Sequence, residues 1–135
     1  MHSVQGERID TTYTNMRRTR VDRRYYNYAV AGMRRAVEQG TCRGADFPGV
    51  QVCGKTGTAQ NRGHDHSAFM GFAPMKNPKI AVCVYVENGG FGADFAVPIG
   101  SLIMEQYVNG KLSASSEIKA NTFQHRHISY GRQAR

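Results

Sequence analysis

Gly49-Val50-Gln51-Val52-Cys53-Gly54-Lys55-Thr56-Gly57-Thr58 decides the fold of this chain, because two architectures compete for it. Its first eight residues, Gly49 to Thr56, match GxxxxGK[ST], the spacing of a phosphate-binding loop, letter for letter. That loop needs a buried strand before it, a flexible turn around the phosphates and a helix opening at the lysine. Arg43-Gly44-Ala45-Asp46-Phe47-Pro48 is too polar and broken to be the buried strand. Val50-Gln51-Val52-Cys53 is itself strand-like, and after Lys55 come Gly57 and Gly63 with polar residues between them, a poor helix start. The stretch is therefore read as a strand, Val50–Thr58, and a helix after Lys55 would restore the nucleotide-binding alternative.

Working outward, two further strands follow. Ser67–Ala73 ends at Pro74, and Lys79–Glu87 comes after the turn-rich Pro74-Met75-Lys76-Asn77-Pro78, short enough for an antiparallel hairpin. Ile80, Val82, Val84 and Val86 alternate with Ala81, Cys83 and Tyr85, so both faces of that strand are apolar and it is expected to be central and covered on both sides. Upstream, Val30, Met33 and Val37 recur at helical spacing from about Arg23 to Gln39, with Gly40 as the stop. Downstream, Asp94 is the expected cap of a largely buried helix over about Phe95–Val108 that ends at Asn109-Gly110. The fold class is α+β: helix, three-stranded antiparallel sheet, helix, with the helices expected on one face. Residues 1–22 read as an irregular segment, 23–110 as the folded part, and 111–135 as a disordered basic tail.

With 135 residues the chain suits one domain. No apolar run approaches the roughly 18–20 residues that cross a bilayer, and the start lacks the apolar run of a signal peptide. The net charge of +8 comes from 18 Lys+Arg against 10 Asp+Glu, concentrated in Arg17–Arg35 and in Arg126, Arg132 and Arg135. Such an excess suits a polyanionic partner (nucleic acid, an anionic membrane surface or a wall polymer) or simply a solvated face. Cys42, Cys53 and Cys83 form neither a disulfide framework nor a zinc pattern, and Cys53 and Cys83 read as core residues.

Lys55-Thr56-Gly57 resembles the Lys-Thr-Gly box of penicillin-recognising serine acyltransferases, which sits on a strand at a cleft edge. Lys55 supplies a positive charge, and Thr56 and Thr58 supply hydroxyl donors for a carboxylate. Gly57 lets a substrate backbone lie along the strand, and a backbone N–H just beyond it suits a tetrahedral oxyanion. The flanks extend the match. Gly54–Gln60, then His66-Ser67-Ala68-Phe69-Met70-Gly71-Phe72-Ala73-Pro74, then Ile80–Val86 with Glu87-Asn88-Gly89-Gly90, resemble consecutive segments of class B penicillin-binding proteins, most nearly the elongation type, penicillin-binding protein 2. The resemblance runs from about Ser3 to Gly110.

It implies the C-terminal part of a transpeptidase domain that cross-links peptidoglycan stem peptides ending in D-Ala-D-Ala and is trapped by β-lactams. It implies no cofactor, no metal and no nucleic acid. The parent would stand on the periplasmic face of the inner membrane, anchored by an N-terminal helix outside this chain, beside a glycan-polymerising membrane partner. Lys55 and Thr58 carry over as catalytic, with the Thr58 N–H in the oxyanion hole, and Thr56, Gly57, Gln60 and His66 as substrate-binding.

The family's Ser-x-x-Lys and Ser-x-Asn motifs precede the box, and residues 1–54 hold neither, so the fragment alone is expected to be inactive. Ser116-Glu117-Ile118-Lys119 spells Ser-x-x-Lys on the wrong side of the box and reads as chance; Tyr25-Tyr26-Asn27 reads as helix packing. His64-Asp65-His66 lacks the further ligands of a metal site. Two other function classes stay in view: a nucleic-acid-binding module built on the arginines near Tyr13, Tyr25, Tyr26 and Tyr28, and a β-lactamase or β-lactam sensor. Exposed strand edges also make self-association of the fragment an expectation.

Overall fold

The structure, a computed structural model, describes residues 18–128. Helix α1 spans Arg23–Glu38, strands β1, β2 and β3 span Cys53–Ala59, His66–Ala73 and Ile80–Val86, and helices α2 and α3 span Ala96–Asn109 and Ala114–Gln124. The sheet is antiparallel in the order β1-β2-β3. Residues after Lys55 continue a strand, which removes the nucleotide-binding alternative.

Phe69 of β2 is the hub of the packing, with 1% of its surface exposed. Its ring fills a slot made by three glycines distant in sequence. A Cβ added at Gly54, Gly71 or Gly100 would come within 2.5, 2.6 and 2.5 Å of ring atoms respectively. Gly54 lies on β1, Gly71 on β2 and Gly100 on α2, so the absent side chains let helix and sheet close on one aromatic ring. Val37, Cys42, Ala45, Val52, Val97 and Met104 complete the core around it.

Ser67 starts α2 from outside the helix. Its hydroxyl accepts the Ala96 N–H at 3.0 Å and donates to the Phe91 carbonyl at 2.9 Å, while Val97 N–H reaches Gly92 O at 3.0 Å. These bonds satisfy first-turn donors that have no partner inside a helix. The expected cap, Asp94, instead accepts the Phe91 N–H at 3.0 Å and closes the preceding turn. The other end of α2 follows the sequence, with Gly110 left-handed at φ 73°.

Four further expectations are corrected. First, among the described residues β3 is an edge strand rather than a central one, and Ala81, Cys83 and Tyr85 lie exposed on the face away from α2. Cys83 is therefore not a core residue. Second, α2 is less buried than its apolar positions suggested, since Ile103 and Tyr107 remain 47% and 63% exposed. Third, the two helices approach from different sides. Cys53 is buried with its Sγ 3.9 Å from Val30 O of α1, whereas the neighbouring Gly54 faces Phe69 and α2. Successive strand residues point to opposite faces.

Fourth, residues 114–124 of the expected disordered tail form α3, which returns to the body. Arg126 lies over the rings of Phe95 and Phe123, at 4.3 and 5.5 Å from their centroids, and its guanidinium donates to the Asp94 carbonyl. Beneath α3, the fully buried Glu105 accepts the Ser113 N–H at 3.0 Å. Burial pushes the Glu105 carboxyl up, but the nearby Ser116 and Ser113 groups and the Lys119 ammonium more than offset this and leave it below its usual value.

A carboxyl whose pKa is depressed by folding stabilises the fold above its unfolded pKa, about 4.3 for glutamate, and loses that contribution as pH falls through the folded value. Docking of α3 is therefore expected to hold at neutral pH and to fail first on acidification. Amide exchange across Ala114–Gln124, corrected for intrinsic rates, should show protection dropping below about pH 4 ahead of the sheet. Protection that falls in parallel with that of the sheet would contradict this.

Candidate active-site strand

Two contacts fix β1 before it reaches the Lys-Thr-Gly box. Arg34 of α1 donates from Nη1 to Val52 O at 2.9 Å and to Asp46 at 3.2 Å, and from Nε to Glu38 at 2.9 Å. Its side chain is 15% exposed, so this arginine is a tie between α1, the 41–49 loop and β1, while Arg23, Arg24 and Arg35 are solvated. Met75 N–H bonds Gln51 O at 2.7 Å and brings the β2–β3 turn onto the same approach. Burial pushes the Cys53 thiol up, with Arg34 pulling only partly against it, so the residue beside the box is an inert thiol and not an activated nucleophile.

The box itself lies on an edge strand. Lys55, Gly57, Thr58, Ala59 and Gln60 are exposed and Thr56 is half-buried. Strand alternation divides the residues expected to form one wall. Lys55 and Gly57 point to the open face, in rows with Met70 and Cys83 and with Ala68 and Tyr85; Thr56 and Thr58 point to the side of Phe69 and Ser67. Lys55 Nζ donates to Thr56 O at 2.8 Å, and the Thr56 and Thr41 hydroxyls are 2.7 Å apart. Gly92 backs the strand directly. A Cβ there would lie 2.8 Å from Gly57 O and 2.9 Å from Thr56 Cβ, so only glycine lets this turn approach so closely.

His66 and Gln60 sit at the far end of the strand pair. His66 opens β2 opposite Ala59, accepts the Asn88 N–H on Nδ1 at 2.9 Å and packs its ring against Tyr85 at 5.5 Å. With Nδ1 an acceptor, the neutral ring carries its proton on Nε2. These bonds lean the imidazole toward β3 and tie it to the Glu87–Gly90 turn, and Gly90 N–H bonds Asp65 O at 2.8 Å beside it. Gln60 follows the strand and is solvent-exposed. Thr41, Gly92 and Ser67 were missed by the sequence reading. Thr41 is 15 residues from its partner, and the role of Gly92 depends on a turn that packs beneath another strand.

An edge strand with an exposed lysine, a following glycine and hydroxyls at its rim can accept an extended peptide by strand addition and place a cation near its carboxylate. Residues 1–105 match the penicillin binding protein transpeptidase domain. The chain belongs to that family. Among relatives of this transpeptidase-domain chain, the peptidoglycan D,D-transpeptidase PbpA of Mycobacterium tuberculosis is 41% identical over 76 residues, covering 48% of this chain and 15% of PbpA. The crystal structure of Pseudomonas aeruginosa PBP2 in complex with WCK 5153 superposes with a TM-score of 0.59 at 38% identity, over 70% of this chain and 22% of that one. A ceftriaxone acyl-enzyme of M. tuberculosis penicillin-binding protein A gives 0.53 at 34% identity, over 58% and 20%. The transpeptidase-domain chain thus spans a small part of the proteins it matches.

Proposed function

We propose that this chain supplies the Lys-Thr-Gly wall of a serine-type D,D-transpeptidase that cross-links peptidoglycan stem peptides and is acylated by β-lactams. The observation that carries the reading is the placement of Lys55-Thr56-Gly57-Thr58 on the free edge of β1, in a chain of the transpeptidase-domain family. In this reading a stem peptide ending in D-Ala-D-Ala lies along β1. Lys55, from the open face, holds positive potential beside the terminal carboxylate and the proton-transfer path, and the Thr56 and Thr58 hydroxyls, on the other face, reach the carboxylate around the strand's edge. Gly57 leaves room for the substrate backbone, and the Thr58 N–H donates to the oxyanion.

Gln60 and His66 border the same strand end. The hydrogen bond of His66 to Asn88 and its ring contact with Tyr85 favour a role in holding the rim over direct substrate contact. The serine nucleophile is assigned to a Ser-x-x-Lys motif outside these 135 residues, since Ser116 is 2% exposed on the buried side of α3. The working enzyme is expected at the periplasmic face of the inner membrane, beside a glycan-polymerising membrane protein; among the described residues no helix is long and apolar enough to cross a membrane.

Fluorescent penicillin, read by intact mass, tests this on the 135-residue chain and on a longer chain that includes the upstream family motifs. Covalent labelling of the longer chain alone is the expected result. Labelling of the short chain would place the nucleophile within it and overturn the assignment, and failure of both to label would remove the penicillin-binding reading.

A further inference from the structure

Residues 106–135 lie beyond the stretch that matches the transpeptidase domain, yet α3 is joined to the loop behind the box by a polar path. Lys119 Nζ donates to Gly44 O at 3.2 Å and to Ser101 Oγ at 3.3 Å. Gly44 belongs to the 3-10 turn Arg43–Ala45, and a Cβ on it would stand 3.3 Å from Val97 Cγ1, so the turn is pressed against α2. Three residues before Gly44, Thr41 meets the Thr56 hydroxyl of the box at 2.7 Å. On the other side of Lys119, Glu105 is fully buried on α2, holds Ser113 through Oε1 and has no hydrogen-bond partner on Oε2. The Ser116-x-x-Lys119 spelling thus has a physical job. One turn of α3 presents a buried hydroxyl beside Glu105 and an ammonium to the 41–46 loop.

We infer that α3 is a brace for the Lys-Thr-Gly strand and that Lys119 is a positioning residue, acting through Gly44 and Thr41 to hold the Thr56 hydroxyl in one orientation. The inference rests on the reading of β1 as the substrate-binding wall, but the coupling itself is a property of this chain and can be measured in it. Lys119 is the α3 side chain that hydrogen-bonds to the loop; Ser116 serves the Glu105 end. Undocking α3 frees the loop on its outer side while Cys42 and Ala45, both fully buried, keep it attached to the core. The consequence is therefore a loosened Thr41–Thr56 pair rather than an unfolded sheet.

The test uses the full 135-residue chain, labelled for NMR, as Lys119→Met, Lys119→Arg and Thr41→Val. Scalar couplings report the Thr56 χ1 rotamer, and amide exchange reports α3. In Lys119→Met, protection of Ala114–Gln124 should fall about tenfold or more as its hydrogen bonds are lost, Thr56 should change from one rotamer to an average of several, and exchange in β2 should stay unchanged. Thr41→Val should average Thr56 without releasing α3, and Lys119→Arg, which can still reach Gly44 O, should restore the single rotamer.

Release of α3 with Thr56 still fixed would overturn the coupling, and so would a Lys119→Met chain in which neither α3 nor Thr56 changes. Penicillin labelling of the longer chain separates the two proposals. If that chain labels while Lys119→Met labels at an unchanged rate, the brace has no catalytic consequence. If the unsubstituted chain does not label, the transpeptidase reading fails whatever Thr56 does.

Discussion

Phe69→Ala should leave the chain largely unfolded at ordinary temperature. The ring is buried to 1% and occupies a slot whose other walls are Gly54, Gly71 and Gly100, residues with no side chain that could swing in to fill the gap. Removing a buried phenylalanine costs about 3–5 kcal/mol, with the larger values where the site cannot collapse. Total stabilities are about 5–15 kcal/mol, and this domain has a net charge of +8 and, among the described residues, two unpaired strand edges working against it. Thermal unfolding followed by circular dichroism should place the variant at least about 10 °C below the parent chain, or show no cooperative transition. A melting point within a few degrees would mean that the three-glycine slot closes on itself and that Phe69 is not the hub.

The largest functional effect is expected at Lys55. In a longer chain that takes up penicillin, Lys55→Ala should slow acylation on the order of 10²–10³-fold, the range found when one preorganised electrostatic group is removed from an acyl-transfer site. Stability should hardly change. Lys55 is exposed and its ammonium bonds only the adjacent Thr56 carbonyl, and surface changes of that kind stay within about 0.5 kcal/mol. The separation of rate from stability is the informative part. Stopped-flow acylation and thermal melting on the same protein would measure both, and labelling at the parent rate would remove Lys55 from the proposed wall.

The two expectations draw on residues that differ in how visible they are in a sequence. Lys55, Thr56 and Gly57 are adjacent, and their chemistry follows from residue type on any strand that exposes them. The competing phosphate loop could be set aside because Val50–Cys53 has strand character and Gly57 and Gly63 oppose a helix. The main elements were legible for the same reason: period-two alternation in Ile80–Val86, helical spacing in Val30, Met33 and Val37, and stops at Gly40 and Gly110 are local patterns of single residues.

Where the reading went astray, the deciding partner lay far along the chain. Asp94 has the chemistry of a cap, but Ser67, 29 residues from Ala96, reaches the first turn of α2 instead. An apolar run such as Ile80–Val86 looks the same in a central strand and at an edge, since alternation records side-chain polarity and not the number of neighbouring strands. Ser113, Ser116 and Lys119 are polar and so resembled a solvated tail; burial became affordable only because Glu105, Ser101 and Gly44 come together beneath them. The sequence by itself determined the antiparallel strands, the helices that flank them and the chemical character of the Lys-Thr-Gly box, because each depends on residues that are neighbours in the chain. Only the tertiary structure decided that Lys55 and Thr56 face opposite sides of an edge strand whose rear is packed by Gly92, that three glycines make room for Phe69, and that α3 docks at all. Those outcomes depend on distances between atoms separated by tens of residues, which no local pattern records.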